Sequence, residues 1–371
     1  MEQKCGTLAE LEISYPNCIH NYNYFRSKLK PSTKLLILIK ANSYGHGAVE
    51  FARIMEEAGA DYFAVAHPVE GIELKKGGIK RPVIILTAGT DNYREIIGNS
   101  LEPGIPNLES LEIFNRTLEE NGIENYPVHI KLDTGMHRLG FMEHELPALL
   151  DFLKSHPRIK VQSVYSHLAA SDEAIHDSFT LGQIELYSKM AARIDAILDY
   201  RPLHHILNSA GIERFTEYQF DMVRLGIGIY GISATDSKML KPAATLRCKI
   251  LQIKELQPSD GTVGYGRHGK LHPEGITKTA TLPLGYADGI DRHLGRGNAR
   301  FLLNGKLVPT IGNICMDMCM IDITGVDAKV GDTVTIFGET PHASELAAIL
   351  GTIPYEIFTS VAKRVKRVVI K

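Results

Sequence analysis

Several apolar runs of this chain end directly on polar residues that could do chemistry. The clearest case is Lys40, which follows the apolar run 35–39. A lysine at the end of a buried strand loses solvation, which lowers its pKa and makes its neutral amine available to form a Schiff base. An exposed lysine at a strand end is the alternative, and the position of Lys40 alone leaves both interpretations open.

Two later segments contain the small residues that an anion site needs. Ser209 follows the apolar run 204–208, and Gly226 and Ile227 lie within the run 221–230. Small residues let backbone N–H groups approach an anion closely, and barrels often bind phosphate on the loops after strands seven and eight. Together with Lys40 and Arg224, these segments indicate pyridoxal 5'-phosphate, because that cofactor carries both an aldehyde and a phosphate.

Two other patterns carry less weight. Gly226, Gly228 and Gly231 match the G-x-G-x-x-G pattern of dinucleotide sites, but no convincing crossover helix with an acidic strand end follows, so we do not expect a nucleotide. Cys315 and Cys319 lack a second Cys or His pair at zinc spacing, so we expect no metal site.

Strand-like and helix-like segments must position these residues. Short apolar runs alternate with amphipathic stretches over residues 35–230, which is typical of a parallel sheet with crossover helices. About eight such units over about 200 residues predict an α/β fold of the (β/α)8 TIM barrel type. A doubly wound sheet is the alternative, because the fourth run is weak. The runs cover residues 35–39, 62–66, 82–86, 100–105, 127–132, 159–166, 204–208 and 221–230.

The pattern changes after Pro242. Shorter strand-like runs are separated there by Gly, Asp and Asn turns, which predicts a C-terminal, mostly-β domain of about 130 residues. Residues 303–306 read Leu-Asn-Gly-Lys, a sequence typical of a tight hairpin turn.

Composition excludes several classes of function. The chain has 371 residues, with 41 Lys and Arg against 43 Asp and Glu, so charge gives no reason to expect a nucleic-acid or membrane partner. The apolar runs are too short to cross a bilayer. The N-terminal residues contain no apolar segment of a secretory signal, and the five scattered cysteines favour reduced thiols, so we expect a cytoplasmic protein.

Short segments spread over nearly the whole chain share their order and spacing with one known family. They cover residues 39–47, 131–140, 166–167, 208–211, 222–227, 264–266, 284–289, 314–317 and 354–356. In these segments the chain resembles the alanine racemase family. The lysine segment alone occurs in other barrel proteins, so the specificity lies in the number of matches in register.

The resemblance implies a fold, an activity and an assembly. It implies a barrel at residues 13–240 that binds pyridoxal phosphate, and a β domain formed by residues 1–12 with residues 241–371. The implied activity is the interconversion of L- and D-alanine by two bases on a pyridoxal phosphate aldimine, which supplies D-alanine for peptidoglycan. Enzymes of the family are homodimers whose active sites take groups from both chains.

The resemblance also implies roles for individual residues. Lys40 would hold the cofactor covalently and act as one base, and the partner subunit's Tyr265 would be the other. The implied cofactor contacts are Tyr44, Ser209, Gly226, Ile227 and Tyr355 at the phosphate, Arg224 at the pyridine nitrogen, and His167 and Asn208. The implied substrate contacts are Arg138 and the backbone around Met316, with Lys131, His205 and Asp317 in support.

Arg224 separates the racemase interpretation from related chemistry. Arginine stays protonated and can only donate, so the pyridine nitrogen would be unprotonated. Decarboxylases on a related barrel generally place an acidic residue there, so Arg224 favours a racemase. A decarboxylase or aldolase, and a cofactor-binding protein without turnover, are the alternatives. His167, Arg224 and His205 form the implied network that lowers the pKa of the tyrosine base from its usual value near 10.

Four further residues have features that the resemblance brings out. Lys131 resembles a lysine that is carbamylated in some members of the family, and Asn313 stands where several members carry arginine. Tyr286 and Arg292 match residues at the outer entrance of the active site in the family. For both residues, an exposed loop position without a guiding role is an equal alternative.

Overall fold

The computed structural model describes residues 8–371. The chain forms two compact units. We call one the barrel unit, which contains residues 18–43 and 48–240. The other is the β unit, in which residues 8–17 and 44–47 join residues 241–371. The units therefore divide the chain differently from the predicted bounds near residues 13–17 and at 44–47, and predicted positions 1–7 lie outside the described residues.

The barrel unit contains one sheet of eight parallel strands with helices between them. The last strand pairs with the first, Met222 opposite Lys34, and the Arg224 N–H donates to Leu207 O at 3.0 Å across the remaining gap. The predicted (β/α)8 class is confirmed, and the doubly wound alternative is wrong because the strand order never reverses. In chain order the strands are Lys34–Leu38, Tyr62–Val65, Val83–Ile85, Glu102–Ile105, Tyr126–Lys131, Ile159–Tyr165, Leu203–His205 and Met222–Leu225.

The fourth barrel strand, Glu102–Ile105, forms in spite of its sequence. Pro103 and Gly104 are poor strand residues, yet this strand pairs with its neighbours on both sides. A Cβ at Gly104 would lie 2.6 Å from the Tyr165 hydroxyl. Glycine therefore makes room for a tyrosine side chain inside the barrel, and packing rather than local propensity decides the strand.

The predicted helices lie between the strands with apolar faces turned inward. Leu108–Glu120, for example, buries Leu111, Phe114 and Leu118 at helical spacing. The helices of this part of the chain are Tyr15–Ser27, Ala48–Ala58, Pro68–Lys76, Tyr93–Gly98, Leu108–Glu120, Leu146–Ser155, Asp177–Asp195 and Ser209–Arg214. The eighth run is shorter than predicted, because Ile227–Tyr230 is a 3-10 turn rather than strand.

The β unit is built on a six-stranded sheet. Its strand order is Lys306–Pro309, Arg300–Leu303, Thr333–Phe337, Ala244–Lys249, Ala9–Ser14 and Lys366–Ile370. A three-stranded sheet contains Gln252–Leu256, Thr277–Leu282 and Cys319–Asp322, and a small pair contains Thr262–Val263 and Gly269–Lys270. Two helices, Ala343–Leu350 and Pro354–Ser360, come near the C-terminus.

Two sequence predictions for the β unit have different outcomes. The predicted hairpin is confirmed, because Leu303 pairs with Lys306 and both Asn304 and Gly305 have positive φ, as a type I′ turn requires. The run 248–256 is not one strand. Its middle amides donate to different sheet partners, Ile250 to Asp332 O and Leu251 to Thr281 O, so the run divides between two sheets.

Among residues 8–371, no helix is long and apolar enough to cross a membrane.

Candidate active site

Lys40 lies where the first barrel strand ends, and the backbone after it is left-handed. Ala41, Asn42 and Ser43 have φ of 52°, 54° and 57° with ψ between 46° and 49°. Left-handed backbone costs roughly 1–2 kcal/mol for each residue that is not glycine. Strain of this kind persists only where surrounding contacts hold it, and it concentrates at functional sites.

Side chains from distant segments hold this turn. Glu70 accepts a hydrogen bond from the Ala41 N–H at 2.6 Å. The Tyr230 hydroxyl donates to Leu38 O at 2.7 Å and lies 2.8 Å from Ser43 Oγ. The backbone on both sides of Lys40 is therefore anchored, which positions the lysine amine.

Positive charge accumulates in this part of the barrel unit. Burial, and then Arg138, lower the pKa of Lys40, while Glu70 opposes them. Burial lowers the pKa of Lys131 to about 8, with Arg138 and Arg224 adding to the shift and Asp133 opposing it. A cluster of desolvated cations is unfavourable by itself, so the group is suited to an anionic ligand.

Arg224 is only 4% exposed and its hydrogen-bond partners are neutral. Nη1 donates to His205 Nδ1 at 2.9 Å, and Nη2 donates to Ser166 O at 2.6 Å and His167 Nδ1 at 3.3 Å. Burial lowers the pKa of Arg224 to about 10, so it stays protonated at neutral pH. Within the described residues all its hydrogen bonds use Nη1 or Nη2, which leaves Nε–H as the remaining donor.

Both histidines beside Arg224 are neutral and have a defined tautomer. Burial, and then Arg224, keep the pKa of His167 and of His205 well below the usual value. Because arginine only donates, Nδ1 of each ring must accept and the ring proton must lie on Nε2. His167 therefore has an Nε2–H to donate.

The predicted phosphate residues of the barrel unit lie together, with one difference from expectation. Asn208 caps the short helix that follows by accepting from the Gly211 N–H at 2.9 Å. Ser209 Oγ accepts from the N–H groups of Gly226 at 2.9 Å and Gly228 at 3.2 Å. The N–H of Gly226, which was expected to approach the anion, therefore already donates to the serine oxygen, and the role of Gly226 at the phosphate stays a prediction. Ser209 keeps its own hydroxyl proton to donate.

The G-x-G-x-x-G match has a packing explanation. A Cβ at Gly228 would lie 2.4 Å from the ring of Phe25, so glycine is required there for close contact. Gly231 ends the 3-10 turn with a φ of 102°.

The loop before Arg138 is closed by Asp133, whose Oδ1 accepts from the Gly135 N–H at 2.9 Å and the His137 N–H at 3.0 Å. Arg138 itself is exposed.

In the β unit, Tyr44 and Tyr355 lie together. Their ring centroids are 5.7 Å apart, and burial raises the pKa of Tyr44. Arg367 donates to Gly45 O through Nε at 2.9 Å and Nη2 at 2.8 Å, which ties residues 44–47 to the last strand. Tyr44 is therefore a neutral donor held in a fixed place.

Tyr265 is 74% exposed and lies between two glycines with positive φ, Gly264 and Gly266. Its backbone is held by Asn313, whose Nδ2 donates to Tyr265 O at 2.8 Å. Arg296 Nε in turn donates to Asn313 Oδ1 at 2.7 Å. The asparagine that departs from the family pattern therefore supports the tyrosine proposed as a base.

Met316 is 55% exposed, and its carbonyl accepts from the Ala287 N–H at 3.0 Å. Asp317 accepts from Arg364 at 2.7 Å, and Arg364 also forms a bidentate pair with the buried Asp288. This ion-pair group anchors the segment that carries Met316.

The barrel unit brings together Lys40, Lys131, His167, His205, Arg224, Asn208, Ser209, Gly226 and Ile227, with Arg138 on the loop after the fifth strand. The β unit contains Tyr44 with Tyr355, and separately Tyr265, Met316 and Asp317.

Sequence reasoning missed Tyr165, whose ring stacks on His205 at 5.1 Å between centroids, with Arg224 5.6 Å from the ring centre. The signal was the two-residue spacing of Ser163 and Tyr165 on one strand face.

Comparison with known proteins identifies the family. Models described as the N-terminal and C-terminal domains of alanine racemase match residues 13–234 and 243–369. This chain belongs to the alanine racemase family. It is 36% identical to an alanine racemase of Synechocystis sp. over 374 residues, which covers 98% of this chain and 99% of the relative. The alanine racemase structure of Clostridium difficile 630 is 34% identical with a TM-score of 0.92, covering 99% of this chain and 97% of that one. The alanine racemase of Bacillus anthracis with bound L-Ala-P is 28% identical, covers 98% and 95%, and has a TM-score of 0.89.

Proposed function

We propose that this chain is an alanine racemase that interconverts L- and D-alanine with pyridoxal 5'-phosphate. The observation that carries the proposal is the pairing of a desolvated strand-end lysine with a buried arginine that has only neutral partners. The lysine is suited to bind an aldehyde covalently, and the arginine has one N–H left for a ring nitrogen. An acidic residue at that place would have favoured a decarboxylase.

The residues present fit this cofactor. The cations around Lys40 suit an anionic group, and Ser209, Gly226 and Ile227 provide a small-residue segment for its phosphate. In the proposal, Tyr44 and Tyr355 donate to the same phosphate, and Asn208 and His167 complete the cofactor contacts. When bound, pyridoxal phosphate withdraws electrons from the Cα of an amino acid attached through its aldehyde, which makes the Cα proton removable.

One base on each side of the substrate Cα suffices for racemisation. Lys40 is the base on one side, since its lowered pKa leaves more of the neutral amine at neutral pH. The partner subunit's Tyr265 is the base on the other side. The Nε2–H of His167 is available to donate to a phenolate oxygen, and such a hydrogen bond lowers the pKa of a tyrosine.

Substrate orientation is assigned to Arg138 and to the backbone around Met316, which would receive the carboxylate. The exposure of Tyr265 and Met316 supports a homodimer with shared sites, because residues that act on substrate must be covered from water. From the family alone, we infer that D-alanine supplies peptidoglycan synthesis and that the enzyme is cytoplasmic.

The direct test follows the circular dichroism of L-alanine incubated with the protein and pyridoxal phosphate. Decay to zero with total alanine conserved establishes racemisation. Decay with carbon dioxide release and loss of total alanine would instead establish a decarboxylase, and a flat signal without carbon dioxide release would contradict both enzyme assignments for alanine.

Lys131 should form a carbamate with carbon dioxide. Its pKa of about 8 means that raising the pH through that value produces the neutral amine, which is the form that reacts; an ordinary lysine stays protonated until about pH 10.4. Incubation with 13C-bicarbonate should give a carbamate carbon signal that grows as the pH rises through about 8. The Lys131→Arg variant retains the positive charge but cannot react, so a signal that persists in it would assign the carbamate elsewhere.

Replacing Asn313 with alanine should lower kcat more than it changes KM. The substitution removes the hydrogen bond to Tyr265 O and leaves Arg296 without its acceptor, so the tyrosine loses its anchor. We expect a fall of about 10- to 100-fold, since a misplacement near 1 Å costs about 100-fold. Asn298→Ala is the matched control, because the Asn298 side chain donates to the nearby His293 O and not to Tyr265. Equal kinetics in the two variants would contradict a positioning role.

A further inference from the structure

A series of linked hydrogen bonds, here called the relay, starts at Arg224 and crosses the barrel interior. It runs over five consecutive strands, from the eighth to the fourth, and it uses one inward side chain from each. The links are Arg224 Nη1 to His205 Nδ1 at 2.9 Å, His205 Nε2 to Ser163 Oγ at 2.9 Å, Ser163 Oγ to His129 Nδ1 at 2.6 Å, and His129 Nε2 to Glu102 Oε2 at 2.7 Å.

The groups at the two ends of the relay determine the direction in which its hydrogen bonds donate. Arg224 can only donate, so His205 Nδ1 accepts and the proton of the neutral His205 ring lies on Nε2. That proton is donated to Ser163 Oγ. The Ser163 hydroxyl proton is then directed to the next ring.

The second half of the relay donates in the same direction. His129 Nδ1 accepts from Ser163, and its Nε2–H donates to the Glu102 carboxylate, which as an ionised group can only accept. A doubly protonated His129 would instead present a donor to Ser163 and leave the hydroxyl proton without an acceptor in the chain. One direction satisfies every group.

Burial makes this arrangement consequential. His129 and Ser163 have no exposed surface, His205 has 1%, and the Glu102 side chain is 13% exposed. A group that loses its partner at such a depth pays the full desolvation penalty. Tyr165 also stacks on His205 with 10° between the ring planes, which restrains rotation of the imidazole.

We propose that Glu102, His129 and Ser163 are positioning residues that hold Arg224 as a donor toward the cofactor ring. They keep the proton of His205 on Nε2, so its Nδ1 always presents a lone pair to the guanidinium. A proton on Nδ1 would oppose the Nη1–H and displace Arg224. The relay also supplies a carboxylate at a distance, without placing an acidic group at the pyridine nitrogen. The role of Arg224 rests on the proposed function, whereas the direction of the relay does not.

The direction can be measured in the protein without cofactor or substrate. In 15N-histidine-labelled protein, His205 and His129 should each carry one proton, on Nε2, and both protons should exchange slowly with water. Ser163→Ala should give His205 a mixture of tautomers and faster exchange. Ser110→Ala is the matched control, because it removes a buried hydroxyl of the barrel unit that has no link to Arg224. An Nδ1–H on His205, or two protons on His129, in the parent protein would overturn the proposal.

Kinetics of the loaded enzyme give the second measurement. Ser163→Ala should lower kcat by about 10- to 100-fold, the range seen when the partner that fixes a histidine tautomer at a metal site is lost. Glu102→Gln retains an acceptor for His129 but removes the charge. In this variant His205 and His129 should each keep the proton on Nε2, and kcat should fall less than in Ser163→Ala. Parent-like kcat in Ser163→Ala would overturn the positioning role. Correct tautomers in a parent protein that does not racemise alanine would contradict the proposed function and leave the relay intact.

Discussion

Replacing Lys40 with alanine should abolish racemisation and covalent attachment of pyridoxal phosphate together. The desolvated amine is both the attachment point and one of the two bases in the proposed mechanism. A positioned base alone contributes about 10²- to 10⁴-fold to rate, so the loss should reach at least that size. Borohydride reduction followed by mass spectrometry of the peptide with residue 40 measures the attachment, and the decay of L-alanine circular dichroism measures the rate.

The matched control is Lys34→Ala, because Lys34 begins the same strand that Lys40 follows. It should retain attachment and rate, which shows that loss of a lysine from this strand does not unfold the barrel. Parent-like activity in Lys40→Ala would contradict the assignment of Lys40. Loss of attachment in both variants would mean that the strand, and not the amine, is responsible.

Replacing Tyr265 with phenylalanine should lower the rate of racemisation equally in both directions. Exchange of the Cα proton with solvent should continue for only one of the two enantiomers. L- and D-alanine have equal free energy, so kcat/KM must fall by the same factor for both, about 10²- to 10⁴-fold if Tyr265 is a general base. In deuterium oxide, the enantiomer whose Cα proton is taken by Lys40 should still exchange with retention of configuration. The other enantiomer should not exchange.

Tyr218→Phe is the control for this measurement, because it removes a tyrosine hydroxyl that is not assigned to the site. Exchange of both enantiomers at the parent rates in Tyr265→Phe would contradict the two-base assignment.

Mixing the two inactive variants tests the shared site. In a heterodimer of Lys40→Ala and Tyr265→Phe chains, one site carries both substitutions and the other carries neither. Random exchange of subunits should therefore restore about a quarter of the parent activity, as expected for a two-fold dimer. No recovery after demonstrated subunit exchange would mean that Lys40 and Tyr265 act from the same chain.

The sequence by itself determined the barrel and the residues at its strand ends. Burial of parallel strands produces continuous apolar runs, and this signal is local, so seven strands were clear from their composition. Lys40 and Ser209 were identified because each directly follows such a run. The fourth strand was weak in sequence because it contains Pro103 and Gly104, of which Gly104 makes room for Tyr165, and only packing decides a strand of that kind.

Tertiary structure alone decided how the candidate site is held. Glu70, 30 positions after Lys40, anchors the left-handed turn, and Ser209 turns back to accept the Gly226 N–H. Asn313 was noticed only as a departure from a pattern, and its contact with Tyr265 required the fold.

The relay from Arg224 to Glu102 shows the physical reason most clearly. The alternation of side chains along a strand can be read from sequence, so an inward position such as His129 or Ser163 is predictable. Which inward side chains meet at the same height depends on strand register and tilt, and these are set by the closure of the whole sheet. A hydrogen bond forms only where the two side chains match in height to within a fraction of an ångström. The sequence therefore predicted what single residues could do, but not which residues hydrogen-bond to each other.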